Sequence, residues 1–270
     1  MITKPAAAPR LRARLAQCRA EKRAALVAYV TFGDPDLVTS VDVVLAAAAA
    51  GADVIELGVP FSDPSADGPV IQAAMERALA AGGGLVSAVT AVQAVRARGC
   101  DVPIVLFGYY NPIFVMGVDA FAARAAAAGV DACLTVDVPV DELEELRGPL
   151  RAAGLDVVPL LAPTSTPARI ARVAALDAPF VYYISMTGVT GGALDAGGLD
   201  VARLAELRRA VAAPLMVGFG IRTAADVRAV AAHADGVIVG SAIVRRIEAA
   251  GPDAAAAVGT FVADLATGLR

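Results

Sequence analysis

Glu56 is the carboxylate in this sequence whose setting best suits proton transfer. It lies in Val54-Ile55-Glu56-Leu57-Gly58-Val59, a run with the composition of a buried strand, which leads into the acidic loop Pro60-Phe61-Ser62-Asp63-Pro64-Ser65-Ala66-Asp67-Gly68. Side chains alternate along a strand, so Val54, Glu56 and Gly58 share one face and Ile55, Leu57 and Val59 the other. One face therefore carries a lone carboxylate among apolar neighbours. Taken out of water, such a group has a raised pKa and is suited to give and take protons near neutrality. A structural Glu neutralised by an Arg from another element explains the pattern equally well, and this one residue does not decide between them. Asp67, eleven residues further on, is the second carboxylate of the following loop.

The residues that are missing narrow the chemistry further. His233 is the only histidine and falls in the seventh helix pattern, away from every strand end, which excludes a His-based triad and a multi-His metal site. Lys4 and Lys22, the only lysines, precede the first strand, so no Schiff-base lysine is available. The other Asp and Glu residues have the spacing of caps and turns rather than of a Mg²⁺ cage, and no metal is expected. Acid–base work falls to carboxylates, with tyrosine as a lesser possibility. Three Gly-rich turns, Gly188-Val189-Thr190-Gly191-Gly192, Gly218-Phe219-Gly220 and Gly240-Ser241, follow late strands and could hold a phosphate through backbone N–H groups. Each alone is weak, since glycine in a turn is usually conformational; together they favour a phosphorylated small molecule.

These residues need a scaffold, and the chain repeats one. Eight short apolar runs alternate with helix-like segments: Leu26 to Gly33, Asp53 to Phe61, Pro103 to Tyr109, Ala132 to Pro139, Asp156 to Pro163, Phe180 to Met186, Pro214 to Gly220 and Asp235 to Ser241. Most are apolar on both faces, as parallel strands covered by helices must be. Several follow an Ala-Gly-x-Asp turn, at Asp53, Asp131 and Asp156, which reads as a helix ending on Gly before a strand. Eight such units predict a single (β/α)8 TIM barrel, an α/β domain spanning residues 1–270 in which 1–24 add an N-terminal helix. A doubly wound open sheet is the alternative, opposed by the absence of Gly-x-Gly-x-x-Gly after the first strand. The chemistry of such a barrel sits at the C-terminal ends of its strands.

Composition agrees with a packed globule: 57% of the 270 residues are hydrophobic, and Ala-rich runs such as Ala46 to Ala50 read as helix interiors. A net charge of −4 gives no general attraction to nucleic acid or anionic lipid. The basic start, with Arg10, Arg12, Arg14, Arg19, Lys22 and Arg23, resembles a transit peptide, but Leu11 and Leu15 are placed for an amphipathic helix leading into the first strand. No window offers about 18 apolar residues free of breakers, so no membrane span is expected. Cys18, Cys100 and Cys133 are few and scattered, which fits a reducing, cytoplasmic setting.

Ile55-Glu56-Leu57-Gly58-Val59-Pro60-Phe61-Ser62-Asp63-Pro64, closed by Ala66-Asp67-Gly68-Pro69, closely resembles the signature of the tryptophan synthase alpha chain family. Tyr29 to Pro35, Tyr110-Asn111-Pro112, Asp137-Val138-Pro139, Ser185 to Gly191, Gly218 to Ile221 and Gly240 to Val244 extend the likeness over nearly the whole chain. Ser65 departs from it, standing where the family more often has a bulkier apolar residue.

The resemblance implies retro-aldol cleavage of indole-3-glycerol phosphate to indole and glyceraldehyde 3-phosphate. Glu56 matches the general acid–base residue and Asp67 the carboxylate that meets the indole N–H. Gly191, Gly220, Gly240 and Ser241 match the phosphate site; Tyr29, Phe107, Leu134, Leu160, Tyr182 and Phe219 match the indole pocket. Thr190 matches the loop residue that meets Asp67 on closure, and Pro60, Asp63, Asn111 and Pro139 match positions facing a beta chain. That partner, in an expected alpha2beta2 tetramer, would hold pyridoxal phosphate; this chain would carry no cofactor. A stand-alone indole-3-glycerol-phosphate lyase and a non-catalytic activator of the beta chain are the alternatives, the latter disfavoured because both carboxylates are present.

Overall fold

The computed structural model describes residues 7–184, 199–218 and 220–269. In chain order it runs α1 (Pro9–Ala20), β1 (Ala25–Thr31), α2 (Leu37–Ala49), β2 (Val54–Gly58), α3 (Pro69–Ala80), α4 (Leu85–Ala97), β3 (Ile104–Gly108), α5 (Tyr110–Met116), α6 (Val118–Ala128) and β4 (Ala132–Thr135). It continues α7 (Glu144–Ala152), β5 (Asp156–Val157), β6 (Leu160–Leu161), α8 (Pro167–Ala174), β7 (Val181–Ile184), α9 (Val201–Ala210), β8 (Leu215–Gly218), α10 (Ala224–Ala231), β9 (Gly236–Val239), α11 (Ser241–Ala250) and α12 (Ala254–Ala266). Every strand pairing is parallel, in the order β5-β4-β3-β2-β1-β9-β8-β7-β6.

Eight strand positions become nine segments because the fifth is split. Its first half pairs with β4 and its second with β7. The break falls at Pro159, which has no N–H to give a ladder. Pairing changes sides there: the Val158 N–H donates to the Cys133 carbonyl at 2.9 Å, and the Tyr182 N–H donates to the Pro159 carbonyl at 3.0 Å. The ring of a (β/α)8 barrel closes through this broken strand.

Alternation along the strands sorts the core into two layers. Inward-facing Val27, Tyr29, Val54, Val105, Phe107, Ala132, Leu134, Met216 and Ile238 fill the barrel, and Leu11 and Leu15 of α1 join this cluster. Outward-facing Leu26, Ala28, Val30, Ile55, Leu57, Ile104 and Leu106 pack under the helices, against residues such as Val43, Val44 and Val92. The Ala-rich stretches are helix interiors as expected, and their small side chains let α2 and α12 pack against each other. Among the described residues no single helix is long and apolar enough to cross a membrane.

The aspartates of the Ala-Gly-x-Asp turns lie at the end of the barrel opposite the site and hold α1 there. Gly51, Gly129 and Gly154 take positive φ, ending the preceding helices in a conformation that costs glycine little. Asp53 then accepts the Leu26 N–H at 2.9 Å and a forked pair of bonds from Arg23 at 2.6 and 2.9 Å. Asp131 accepts the Ile104 N–H and pairs with Arg10 and Arg96; Asp156 pairs with Arg12 and Arg147. Arg10, Arg12, Arg14 and Arg23 of the basic N-terminal stretch are thus counter-charges for buried carboxylates. Asp53→Ala should leave the Leu26 N–H without its side-chain acceptor and the Arg23 guanidinium with only Glu21 and the Ala24 carbonyl, and lower the unfolding free energy by about 3 kcal/mol. Urea denaturation reads this directly, and a loss under about 0.5 kcal/mol would show the pair to be worth no more than an exposed one.

Candidate active site

Glu56 sits in the middle of β2, in register with Tyr29 of β1 and Val105 of β3. Its inward face leaves it with 0% exposure and, among the described residues, no hydrogen-bond partner on either carboxylate oxygen. Burial without a compensating charge pushes its pKa up to about 8. The alternative of an Arg-neutralised structural Glu does not hold. Asp34 shows what that alternative looks like: it is equally buried but bound by the Arg77 guanidinium at 2.8 and 2.9 Å.

Asp67 lies in the loop between β2 and α3 and is half-buried. The loop is tied down at several points. Gln72 Nε2 donates to the Asp67 and Pro64 carbonyls, and the Tyr109 hydroxyl accepts the Ala66 N–H at 3.0 Å. The Phe61 ring stacks on Tyr109 with centroids 4.9 Å apart. Burial raises the Asp67 pKa to about 6, with a hydrogen bond from Tyr109 pulling the other way. Ser65 is exposed, with its N–H bonded to the Asp63 carbonyl.

Both carboxylates line a cavity of about 400 Å³ at the C-terminal ends of the strands. Tyr29, Phe107 and Tyr182 form one wall, with Tyr29 edge-on to Phe107 at 5.3 Å and Phe107 tilted against Tyr182 at 6.5 Å. Two glycines make room for them. A Cβ at Gly58 would lie 2.2 Å from the Tyr29 hydroxyl, and one at Gly218 would lie 2.5 Å from that of Tyr182. Leu160 lines the same cavity, as do Gly220, Gly240 and Ser241. Gly240 caps α11, whose first-turn N–H groups therefore start at the cavity edge.

Leu134 is fully buried in the barrel interior and does not line the cavity. Gly191, Thr190 and Phe219 lie outside the described residues. Of the partner-facing set, Asp63 and Asn111 are exposed, Pro139 is half-buried at the cavity and Pro60 is buried. Sequence reasoning passed over two side chains. Tyr109 bonds Asp67, and its only signal was a tyrosine at a strand end. Thr135, at the end of β4, lines the cavity with a buried hydroxyl that has no partner among the described residues, and nothing in its neighbours marked it.

Residues 15–266 match the family model described as "Tryptophan synthase alpha chain". A curated tryptophan synthase alpha chain from Burkholderia pseudomallei is 50% identical over 261 residues, covering 95% of each chain. A solved tryptophan synthase from Mycobacterium tuberculosis superposes with a TM-score of 0.88 at 36% identity, covering 98% of this chain and 99% of the other. A tryptophan synthase complex from Pyrococcus furiosus gives 0.82 at 36% identity, covering 90% and 97%.

The buried Glu56 makes stability depend on pH with a definite sign. Its carboxyl keeps a proton in the folded state up to about pH 8, whereas an unfolded Glu loses it near 4.5. The folded form binds the extra proton, so stability falls as pH rises between these values. Glu56→Gln removes this dependence. Its melting temperature relative to the parent should climb from pH 5 to pH 9 in thermal denaturation; a constant difference would mean that Glu56 ionises as freely in the fold as in water.

Proposed function

The chain belongs to the tryptophan synthase alpha chain family, and we propose that Glu56 and Asp67 divide between them the work of its lyase reaction. That reaction cleaves indole-3-glycerol phosphate to indole and D-glyceraldehyde 3-phosphate. The observation that carries the assignment is the unpartnered Glu56 carboxyl facing a cavity shared with Asp67.

With a pKa near 8, Glu56 enters the reaction as a neutral acid at physiological pH. It gives its proton to C3 of the indole ring and becomes a carboxylate. The ring nitrogen, now positive, is held by the Asp67 carboxylate, a charge placed where charge develops. Glu56 then takes the proton of the hydroxyl on the adjacent side-chain carbon. That carbon becomes the aldehyde, the carbon–carbon bond breaks, and its electron pair returns to the ring and restores aromaticity. Glu56 ends protonated as it began, so one carboxyl serves as acid and base in a single turnover. Tyr29, Phe107, Leu160 and Tyr182 border the ring, while Gly220, Gly240 and Ser241 take the phosphate at the start of α11. Leu134 supports the ring wall from below. Gly191, Thr190 and Phe219 are assigned to phosphate, loop closure and indole on the family match alone.

Residues 1–270 act as one domain in this reading, supported by the closed ring and by α1 across its lower end. A beta chain carrying pyridoxal phosphate docks at the barrel mouth in an alpha2beta2 assembly, with Asp63, Asn111, Pro139 and the edge around Pro60 toward it. The likeness to a tryptophan synthase complex supports that partnership. The free cysteines Cys18, Cys100 and Cys133 fit the cytoplasm.

Glu56→Gln should lose at least about 10²-fold in indole release while still binding substrate; near-normal turnover would remove the acid–base assignment. With no Trp in the chain, indole fluorescence can be followed over a tyrosine background alone. Release that is slow alone and rises strongly with a matching beta chain supports the subunit reading. Equally fast release without it favours an independent lyase, and no release from the folded chain in either case overturns the catalytic reading.

A further inference from the structure

Tyr109 follows β3 and stands at the N-cap of α5, so its backbone is held by two elements. Its side chain is 5% exposed, with Phe61 stacked on the ring. The hydroxyl makes two bonds to the loop after β2. It donates to Asp67 Oδ2 at 2.6 Å and accepts the Ala66 N–H at 3.0 Å. Both ends of the hydroxyl are used, which fixes where its proton points. Among the described residues no other side chain bonds the Asp67 carboxylate.

The other ionisable groups that face this carboxylate are Glu56 of β2, Tyr29 of β1 and Tyr182 of β7, while Asp137, beyond β4, acts on Tyr109. None is a cation. The support for a negative charge on Asp67 among these groups is therefore the Tyr109 hydroxyl.

We propose that Tyr109 is the positioning residue of Asp67, its hydroxyl fixing Oδ2 and thereby leaving Oδ1 to accept the indole N–H. This rests on the assignment of Asp67 to the indole nitrogen. A carboxylate free to rotate would divide its time among orientations, and misplacement of a stabilising charge is costly in the transition state. The same bond favours the ionised form, because a donor to a carboxylate stabilises its charge. The phenol itself does not ionise in the working range: burial and the adjacent Asp67 hold its pKa well above the ordinary tyrosine value. It acts only as a donor.

A purely structural role would lie in the stacked ring, which phenylalanine keeps. Tyr109→Phe, Asp67→Asn and the double variant separate the two. Tyr109→Phe should lower kcat on the order of 10-fold, as for loss of a hydrogen bond to a charged group, with a smaller change in KM. Its kcat/KM profile should move its acid limb to higher pH, because Asp67 then needs a higher pH to ionise. In the Asp67→Asn background the same change should cost little more, the mark of two groups acting as one. An unshifted acid limb, or an equal loss in both backgrounds, overturns the positioning role while leaving Asp67 in place. Wild-type turnover by Asp67→Asn instead removes the Asp67 assignment and this inference with it. Should Tyr109→Phe not fold, 3-fluorotyrosine at position 109 keeps the shape and makes a stronger donor. The acid limb should then move to lower pH, and an unmoved limb overturns the proposal.

Discussion

Desolvation of a single carboxyl group is the constraint on which this molecule turns. Glu56 is fully buried and has no hydrogen-bond partner among the described residues, and an ionised carboxylate in that position is expensive enough that the proton stays. A free glutamate is already ionised at neutral pH and has no proton to give to a carbon atom. The barrel supplies the difference by geometry alone. Parallel strands on either side put apolar residues around position 56, and the aromatic wall of Tyr29, Phe107 and Tyr182 closes the space above. Gly58 and Gly218 are part of the same arrangement, since a methyl group at either would strike a tyrosine hydroxyl.

An uncompensated buried acid lowers stability, and the opposite end of the barrel is built the other way. Asp53, Asp131 and Asp156 are as buried as Glu56, yet each meets guanidinium groups and a backbone N–H. One fold thus treats the same functional group in two ways. Carboxyls at the lower end are neutralised and lock α1 and the strand starts together; the one at the cavity is left without a counter-charge so that it can exchange protons. Asp67 lies between these extremes, drawn up by burial and held by a phenol.

Much of this could be read before any coordinates were known. Both-face apolar runs gave the parallel ring, and strand alternation placed Glu56 inward, because these depend on local periodicity. The split of the fifth strand was written in Pro159 but not used, since a proline in an apolar run also suits an ordinary strand end. What Asp53, Asp131 and Asp156 do was not legible either: their partners Arg23, Arg10 and Arg12 come from a segment far away in sequence whose charges looked like a targeting signal. Whether Glu56 was paired or bare could not be decided from the sequence for the same reason, because the absence of an Arg across the barrel is a property of three dimensions. Tyr109 escaped notice because its partner lies 42 residues away, and Leu134, expected at the pocket wall, is buried in the barrel interior and does not line the cavity.

The protonation state of Glu56 in the empty site can be observed directly. Infrared difference spectra of the unliganded protein with ¹³C-labelled glutamate, subtracted against the Glu56→Gln variant, isolate the carboxyl stretch of that one residue. Followed from pH 5 to pH 10, the account predicts a carboxylic-acid band that persists through neutrality and gives way to carboxylate with a midpoint near 8. A carboxylate already formed at pH 6 would contradict it, and the reaction would then need another source for the proton.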